Sequence, residues 1–213
     1  MFVKICGLKT LDMLQTAIEA GADYVGLVFF EKSPRHVALE EAASLATAAR
    51  GQTKIVALVV DETDETLTQI AKSVQPDYFQ LHGAEPPARA QEIFDQFQIP
   101  LIKALGVQTA EDVQRADDYP MADIILFDAK PSPHQTQLPG GNGIAFDWNL
   151  LHEQRLKRTF MLSGGLTPLN VAEAIQLTGA MGVDTSSGVE RARGVKDPRL
   201  IKDFIQCAKQ MTD

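Results

Sequence analysis

The sequence has few of the residues that hold small secreted or metal-binding proteins together. Among its 213 residues there are two cysteines, Cys6 and Cys207, at opposite ends of the chain, and four histidines. Two isolated cysteines form neither a disulfide framework nor the paired spacing of a structural zinc site. The sequence therefore predicts a protein of a reducing compartment that has no metal centre.

Positive charge and long apolar runs are also scarce. Lys and Arg number 20 against 28 Asp and Glu, which gives a formal net charge of -8. Such an acidic chain is a poor match for nucleic acid. No run reaches the roughly 18 apolar residues of a membrane span, and the N-terminus lacks a basic region followed by an apolar one. We expect a cytoplasmic protein with neither nucleic-acid nor membrane partners, in which local donors hold any anionic ligand.

The chain does contain a regular alternation of strand-like and helix-like segments. Runs rich in β-branched and aromatic residues are separated by segments with apolar residues at helical spacing, and no linker interrupts the pattern. Alternating strands and helices form right-handed βαβ units, and eight such units close into a barrel. We therefore predict an α/β fold, a (βα)8 TIM barrel, with residues 1–213 as a single domain. The predicted strands are 2–6, 23–29, 54–60, 77–82, 100–107, 122–128, 159–164 and 181–187.

Three aspartates form a quasi-repeat along the chain. Asp23, Asp77 and Asp123 each precede an apolar strand, at about every second βα unit. The amino ends of barrel strands serve stability, whereas catalytic groups occupy the carboxyl ends. We expect these aspartates to form a shared turn at the lower rim and to take no part in the chemistry.

Polar residues collect at the predicted carboxyl ends of the strands. Lys4 and Cys6 are two residues apart in the first strand and point to one face, where an ammonium group favours a thiolate that can act as a base. Asp128 ends the sixth strand with a parity that directs its carboxyl group into the mouth. His82 and Asp184 end the fourth and eighth strands, and each is either a substrate contact or a structural residue.

The loops after the seventh and eighth strands have the features of a phosphate site. SGGLTP joins paired glycines to a predicted helix start at Pro168, and SSGVE has capping-box spacing from Ser187 to Glu190. Both patterns place backbone N–H groups at a helix N-terminus, which holds an anion without a basic side chain. The predicted phosphate ligands are Gly164, Gly165, Ser186 and Ser187.

These stretches resemble the phosphoribosylanthranilate isomerase family from the first strand to the last helix. KICG together with DTSSGVE is the most specific part, because SGGL alone occurs in many phosphate-binding barrels. The matching stretches are KICGL (4–8), VGLVFFEKSPRHV (25–37), FQLHG (79–83), FDAK (127–130), GGNGIAFDW (140–148), LSGGLTPLNV (162–171), VDTSSGVE (183–190) and GVKD (194–197).

The resemblance implies an isomerase of tryptophan biosynthesis that carries out an Amadori rearrangement. Its substrate would be N-(5-phosphoribosyl)anthranilate and its product 1-(2-carboxyphenylamino)-1-deoxyribulose 5-phosphate. The resemblance makes Cys6 the general base, Asp128 the general acid and Arg35 the ligand of the anthranilate carboxylate. No metal or other cofactor is needed, since the nitrogen of the substrate is the electron sink.

Further expectations concern binding and partners. Lys4, His82 and Asp184 are grouped with the substrate-binding residues. The sugar phosphate that carries anthranilate is the expected small-molecule partner, with other tryptophan-pathway enzymes as neighbours in metabolism. The sequence is compatible with a monomer and does not fix the oligomeric state. The long, glycine-rich segment 131–143 is predicted to be a mobile loop that covers the substrate.

Other functions fit part of the pattern. A histidine-pathway aminoaldose isomerase would have an aspartate in place of Cys6, and a ribulose-phosphate epimerase would need a metal cluster that four scattered histidines do not supply. A regulatory module that only binds phosphate would tolerate loss of Cys6 and Asp128, whereas an isomerase would not.

Overall fold

Parallel strands close into a barrel surrounded by helices. The computed structural model of the chain describes residues 1–130, 146–154 and 158–212, so the predicted loop 131–143 lies outside the described residues. The closed sheet has the order β1 to β8, with β1 paired to both β2 and β8. The strands are β1 (Phe2–Cys6), β2 (Tyr24–Val28), β3 (Lys54–Val59), β4 (Tyr78–Leu81), β5 (Leu101–Val107), β6 (Ile124–Ala129), β7 (Phe160–Leu162) and β8 (Gly182–Thr185).

Helices follow the strands, and a short antiparallel hairpin lies between β8 and the last helix. Its strands are β9 (Glu190–Ala192) and β10 (Val195–Lys196). In the described part of the chain, no helix is both long and apolar enough to cross a membrane. The helices are α1 (Leu11–Glu19), α2 (Leu39–Ala49), α3 (Asp64–Val74), α4 (Pro87–Phe97), α5 (Ala110–Gln114), α6 (Asn149–Gln154), α7 (Val171–Thr178) and α8 (Pro198–Lys209).

The alternation of side chains along the strands produces two apolar layers. Residues such as Ile5 and Phe127 belong to the large cluster that the strands share with the helices. Residues of the other parity, such as Val56, Ile102 and Leu126, form a separate cluster that fills the barrel interior. The mouth end of that interior is therefore where inward-facing polar residues can meet.

The three repeated aspartates make the same contact at the lower rim, as predicted. Each carboxylate accepts a hydrogen bond from a backbone N–H group near the start of the preceding strand. This contact satisfies a donor that the sheet would otherwise leave unpaired. The pairs are Asp23 with Val3 at 2.8 Å, Asp77 with Ile55 at 2.8 Å, and Asp123 with Leu101 at 3.0 Å.

Two local predictions at the mouth are wrong. No helix begins at Pro168, because Asn170 accepts a hydrogen bond from Thr167 N at 2.8 Å and donates one to Gly165 O at 3.0 Å, which keeps this stretch a loop until α7. The predicted capping box is a 3-10 turn, Ser187–Val189, and Glu190 begins the hairpin instead. The side chain of Glu190 is used elsewhere in the mouth.

Candidate active site

The thiol of Cys6 has its position because its neighbour in the sheet is a glycine. Cys6 ends β1 and is in register with Gly26 on β2. A Cβ atom at Gly26 would lie 2.8 Å from Cys6 Sγ, which is too close for two atoms that are not bonded. Cys6 is 4% exposed and packs with Val28 and Leu58 at the mouth end of the interior. The strand register thus places a buried thiol against an apolar wall.

Lys4 lies two residues before Cys6 on the same face of β1 and forms a buried ion pair. The register of β1 and β8 sets Lys4 opposite Asp184, and Nζ donates to Asp184 Oδ1 at 2.9 Å. Lys4 is completely buried, and the second oxygen of Asp184 accepts a hydrogen bond from Ser163 Oγ at 3.3 Å. Burial works to lower the pKa of Lys4, but the adjacent Asp184 and Cys6 outweigh it and hold that pKa above its usual value. Lys4 is therefore an ammonium group.

Burial and Lys4 act on the Cys6 thiol in opposite directions. Burial raises the pKa of the Cys6 thiol, and Asp184 raises it further. Lys4 and Lys196 lower this pKa, but by less, so it lies above its usual value. Because Asp184 neutralises Lys4, this pair alone adds little net positive charge beside the thiol. Lys4 does favour the thiolate, as expected, but it does not outweigh burial.

Arg35 is fixed by a buried carboxylate from the hairpin. Glu190 accepts hydrogen bonds from Arg35 Nε at 2.7 Å and from Arg35 Nη2 at 2.9 Å, in the two-point geometry that guanidinium and carboxylate groups favour. It also accepts hydrogen bonds from Gly194 N and Lys196 Nζ, each at 3.0 Å. Burial alone would raise the pKa of Glu190, but Arg35, Lys196 and Gly194 together lower it to about 2. Glu190 is thus a carboxylate shared by two cations.

Lys196 connects this cluster to the backbone of the candidate base. Its Nζ donates to Ser186 O at 2.8 Å, to Ser186 Oγ at 3.0 Å and to Glu190 Oε1 at 3.0 Å. The hydroxyl of Ser186 in turn donates to Cys6 O at 3.0 Å. The pKa of Lys196 lies below its usual value, because burial lowers it by more than Glu190 and Cys6 raise it.

The predicted acid, Asp128, lies beside the predicted His82. His82 Nε2 is 3.3 Å from Asp128 Oδ2, and His82 Nδ1 is 2.8 Å from the side-chain amide of Gln80. Asp128 Oδ1 accepts a hydrogen bond from Ala129 N at 2.8 Å. Gly164, at φ 87°, comes so close that a Cβ atom there would be 3.1 Å from Asp128 Oδ1. The carboxyl group is consequently held on two sides at the mouth of the barrel.

The four predicted phosphate ligands fall in two neighbouring loops. Gly164 and Gly165 both have positive φ, at 87° and 65°, and their N–H groups donate no hydrogen bond to another described residue. Ser186 contacts Cys6 and Lys196 through its side chain, and Ser187 opens the 3-10 turn. The loop after β7 therefore has main-chain donors to offer at the mouth.

The predicted residues thus form two groups. Lys4, Arg35, Asp184 and Ser186 belong to the group around Cys6, and His82 belongs to the group around Asp128. The SerGly step at 163–164 links the groups, because Ser163 binds Asp184 and Gly164 abuts Asp128. This arrangement brings a thiol, a carboxyl group and a loop with main-chain N–H donors to one barrel mouth.

A family model decides which of the known barrel enzymes this chain resembles. The model described as N-(5'phosphoribosyl)anthranilate (PRA) isomerase matches residues 3–207. The chain belongs to the PRA isomerase family. It is 54% identical over 208 residues to the N-(5'-phosphoribosyl)anthranilate isomerase of Rhodopseudomonas palustris, covering 97% of this chain and 95% of that protein. The enzyme of the same name from Brucella canis is 49% identical over 205 residues, with 96% and 92% coverage.

Solved structures of the PRA isomerase family have the same fold. The phosphoribosyl anthranilate isomerase of Thermotoga maritima matches with a TM-score of 0.88 and 38% identity over 99% of both chains. A second structure, with a TM-score of 0.86, 37% identity and 99% coverage of both chains, is a complex with reduced 1-(o-carboxyphenylamino)-1-deoxyribulose 5-phosphate. The predicted family and the TIM barrel are confirmed, and the chain is an isomerase of tryptophan biosynthesis.

Sequence reasoning missed several residues of this PRA isomerase site. Gly26 acts through a contact across the sheet, Gln80 through its side-chain contact with His82, and the capping-box interpretation of Glu190 gave no sign of its role. Lys196 lies in the family stretch GVKD, which was the signal that could have found it. A lysine near a polar turn is otherwise typical of a solvated surface, whereas Lys196 is 6% exposed.

Proposed function

We propose that this chain catalyses the Amadori rearrangement of N-(5-phosphoribosyl)anthranilate with Cys6 as general base and Asp128 as general acid. The observation that carries the proposal is the placement of both groups at one barrel mouth, each seated against a glycine. Residues 1–213 act as one catalytic domain in this proposal, which places the enzyme in the cytoplasm and needs no metal or other cofactor.

The chemistry divides into two proton transfers. Asp128 protonates the furanose ring oxygen, the bond from that oxygen to C1 breaks, and an iminium ion forms at the anthranilate nitrogen. The Cys6 thiolate then removes the proton from C2, which gives an enolamine. Tautomerisation moves a proton from the C2 hydroxyl group to C1 and produces the ketone. The substrate nitrogen takes up the electrons at the iminium stage.

The anthranilate ring fits the apolar side of the mouth. Cys6 packs with Val28 and Leu58, and the partly buried Phe30 and Val60 extend this surface. Arg35 is the ligand of the ring's carboxylate in this proposal, and Glu190 fixes the direction of its guanidinium group. A planar guanidinium held in this way favours two-point binding of a carboxylate.

The remaining predicted residues receive roles that follow from their surroundings. Gly164 and Gly165, with Ser186 and Ser187 in the neighbouring loop, are the proposed phosphate ligands. His82 assists Asp128, which it contacts. Lys4 and Asp184 are completely or almost completely buried against each other, so we assign them to positioning the base as well as to the substrate-binding group.

A direct assay tests the proposal. Purified protein is given freshly prepared phosphoribosylanthranilate, and the change in anthranilate fluorescence is followed with and without exhaustive chelation. We expect equal turnover in both conditions. Absence of turnover by folded protein that still binds inorganic phosphate would favour a regulatory module, and turnover that chelation abolishes and a divalent ion restores would contradict the metal-free mechanism.

A further inference from the structure

The mouth contains two buried ionic groups of different total charge. Lys4 and Asp184 form one pair whose charges cancel. Arg35, Glu190 and Lys196 form the other group, in which one carboxylate serves two cations. In the second group, which we call the hairpin cluster, the cations therefore outnumber the carboxylate by one.

The hydrogen bonds of the hairpin cluster favour a charged Lys196. Its Nζ has three acceptors, namely Ser186 O, Ser186 Oγ and Glu190 Oε1. The Ser186 hydroxyl donates its hydrogen to Cys6 O, so its oxygen acts as an acceptor for Lys196. The ammonium form of lysine has one N–H donor for each of these three acceptors, so the geometry favours a charged Lys196.

We propose that Lys196 is a positioning residue for the Cys6 base, which its ammonium group supports by adding positive charge near the thiol and, through Ser186, by fixing the Cys6 backbone. This inference rests on the proposed role of Cys6 as base. Lys196 touches no reacting atom in this scheme, so its effect passes entirely through the protonation and placement of the thiol.

The charged groups that act on Cys6 come from three strands around the thiol. Lys4 lies on its own strand, Asp184 on β8 and Lys196 on β10, with Arg35 behind Lys196, while β2 contributes the uncharged Gly26. Because Lys4 and Asp184 oppose each other, a change in the hairpin cluster alters the net charge that the thiol experiences.

Two substitutions should shift the pKa of the Cys6 thiol in opposite directions. The measurement is the midpoint of thiolate formation, followed by ultraviolet absorbance in a Cys207→Ala background, with the same protein lacking Cys6 as the blank. Lys196→Met removes the positive charge and should raise the midpoint by about one pH unit or more, since a nearby opposite charge shifts such a group by roughly 1 to 3 units. Glu190→Gln keeps the size of the side chain, removes the negative charge and should lower the midpoint.

Matched variants separate charge from shape. Lys196→Arg retains the charge and should stay within about half a unit of the parent protein, well below the shift expected for charge loss. Lys103 is a third buried lysine, besides Lys4 and Lys196, and is paired with Glu85 at 2.7 Å outside the barrel interior. Lys103→Met should therefore leave the thiol midpoint unchanged, even if it lowers the stability of the fold.

Turnover gives an independent readout. A one-unit rise in the midpoint leaves roughly a tenth of the thiolate at neutral pH, so kcat/KM of Lys196→Met should fall about tenfold and recover as the pH is raised.

Shifts of the same sign in Lys196→Met and Glu190→Gln, or no shift in either, would overturn the proposal. If Lys196→Met does not fold, the direction of the Glu190→Gln shift still decides. The titration uses no substrate, so wild-type protein that titrates as expected but does not turn over would refute the proposed function alone.

Discussion

At the lower rim of the barrel three aspartates repeat one contact, whereas at the mouth each charged side chain has partners of its own. Each of the rim carboxylates accepts a hydrogen bond from a backbone N–H group of the preceding strand; they are Asp23, Asp77 and Asp123. At the mouth, Asp184 faces a lysine and a serine, while Glu190 faces an arginine, a lysine and a backbone N–H group.

The two ends also differ in their exposure to water. The rim side chains of Asp23 and Asp77 are 31% and 28% exposed, and the ion pairs they form reach solvent. The side chains of the ion pairs around Cys6 are between 0% and 6% exposed, and removing charges from water there costs more free energy than an ion pair usually returns. Buried charge at the mouth is therefore explained by chemistry, and the repeated contact at the rim by stability.

The largest effect should follow from removing the base. Cys6→Ser keeps the shape of the side chain but replaces the thiol with a far weaker acid, so the basic form is scarcely populated and proton abstraction nearly stops. Turnover should fall at least about a hundredfold, because a positioned base contributes roughly 10² to 10⁴-fold. Substrate deuterated at C2 should show a primary isotope effect, and substrate binding should persist.

Cys207 provides the control for this experiment. It lies on α8, packs against the apolar cluster between the strands and the helices, and is only partly buried. Cys207→Ser should retain the activity of the parent protein. If Cys6→Ser also turns over within a few-fold of the parent, the thiol only fills space and the mouth has no base at this position.

Removing the acid should be nearly as damaging but should differ in its isotope effect. Asp128→Asn retains the volume and an oxygen for Ala129 N, yet it cannot deliver a proton to the ring oxygen. Ring opening should then limit turnover, which we expect to fall at least about a hundredfold. Deuterium at C2 should have little effect on this variant. A large isotope effect would mean that Asp128 serves proton abstraction instead.

A pair of glycines tests whether crowding has different consequences at the two ends. A Cβ atom at Gly26 would meet Cys6 Sγ at 2.8 Å, and one at Gly182, near the lower end of β8, would meet Met161 Cγ at 2.9 Å. Both alanine variants overpack the interior, at a typical cost of about 1 to 3 kcal/mol in unfolding free energy. Only Gly26→Ala displaces the base, so it alone should lower kcat, by roughly tenfold for a small misplacement. Equal kcat values for folded Gly26→Ala and Gly182→Ala would contradict the proposal that Gly26 positions the thiol.

Sequence reasoning reached the fold because the fold is encoded locally. Each strand reveals itself within five to eight residues through β-branched and aromatic side chains, and each parity assignment, such as Lys4 with Cys6, needs only neighbouring positions. The loops after β7 and β8 were the exception. There, Asn170 and Glu190 have partners that local patterns do not identify, so two predicted helix starts were wrong.

The partners within the site could not be predicted because barrel closure creates them. Lys4 and Asp184 are 180 residues apart in sequence, and Arg35 and Glu190 are 155 apart. The sequence indicated which residues end their strands at the mouth, and the family resemblance supplied roles for Cys6 and Asp128. Neither the neutralisation of Lys4 nor the importance of Lys196 follows from spacing along the chain.

The smallest effect on activity should come from the rim, where stability should change instead. Asp123→Ala leaves the N–H group of Leu101 without its acceptor, which should lower the free energy of unfolding by about 1 to 2 kcal/mol. Urea unfolding measures this loss, and kcat and KM should stay within about twofold, since surface and rim changes remote from a site leave its geometry intact. Asp77→Ala should lose a similar amount, because its additional partner Lys54 is 59% exposed and adds little. A clear fall in kcat at unchanged stability would show that the rim is coupled to the mouth, and the division of the barrel into a stabilising end and a chemical end would then be wrong.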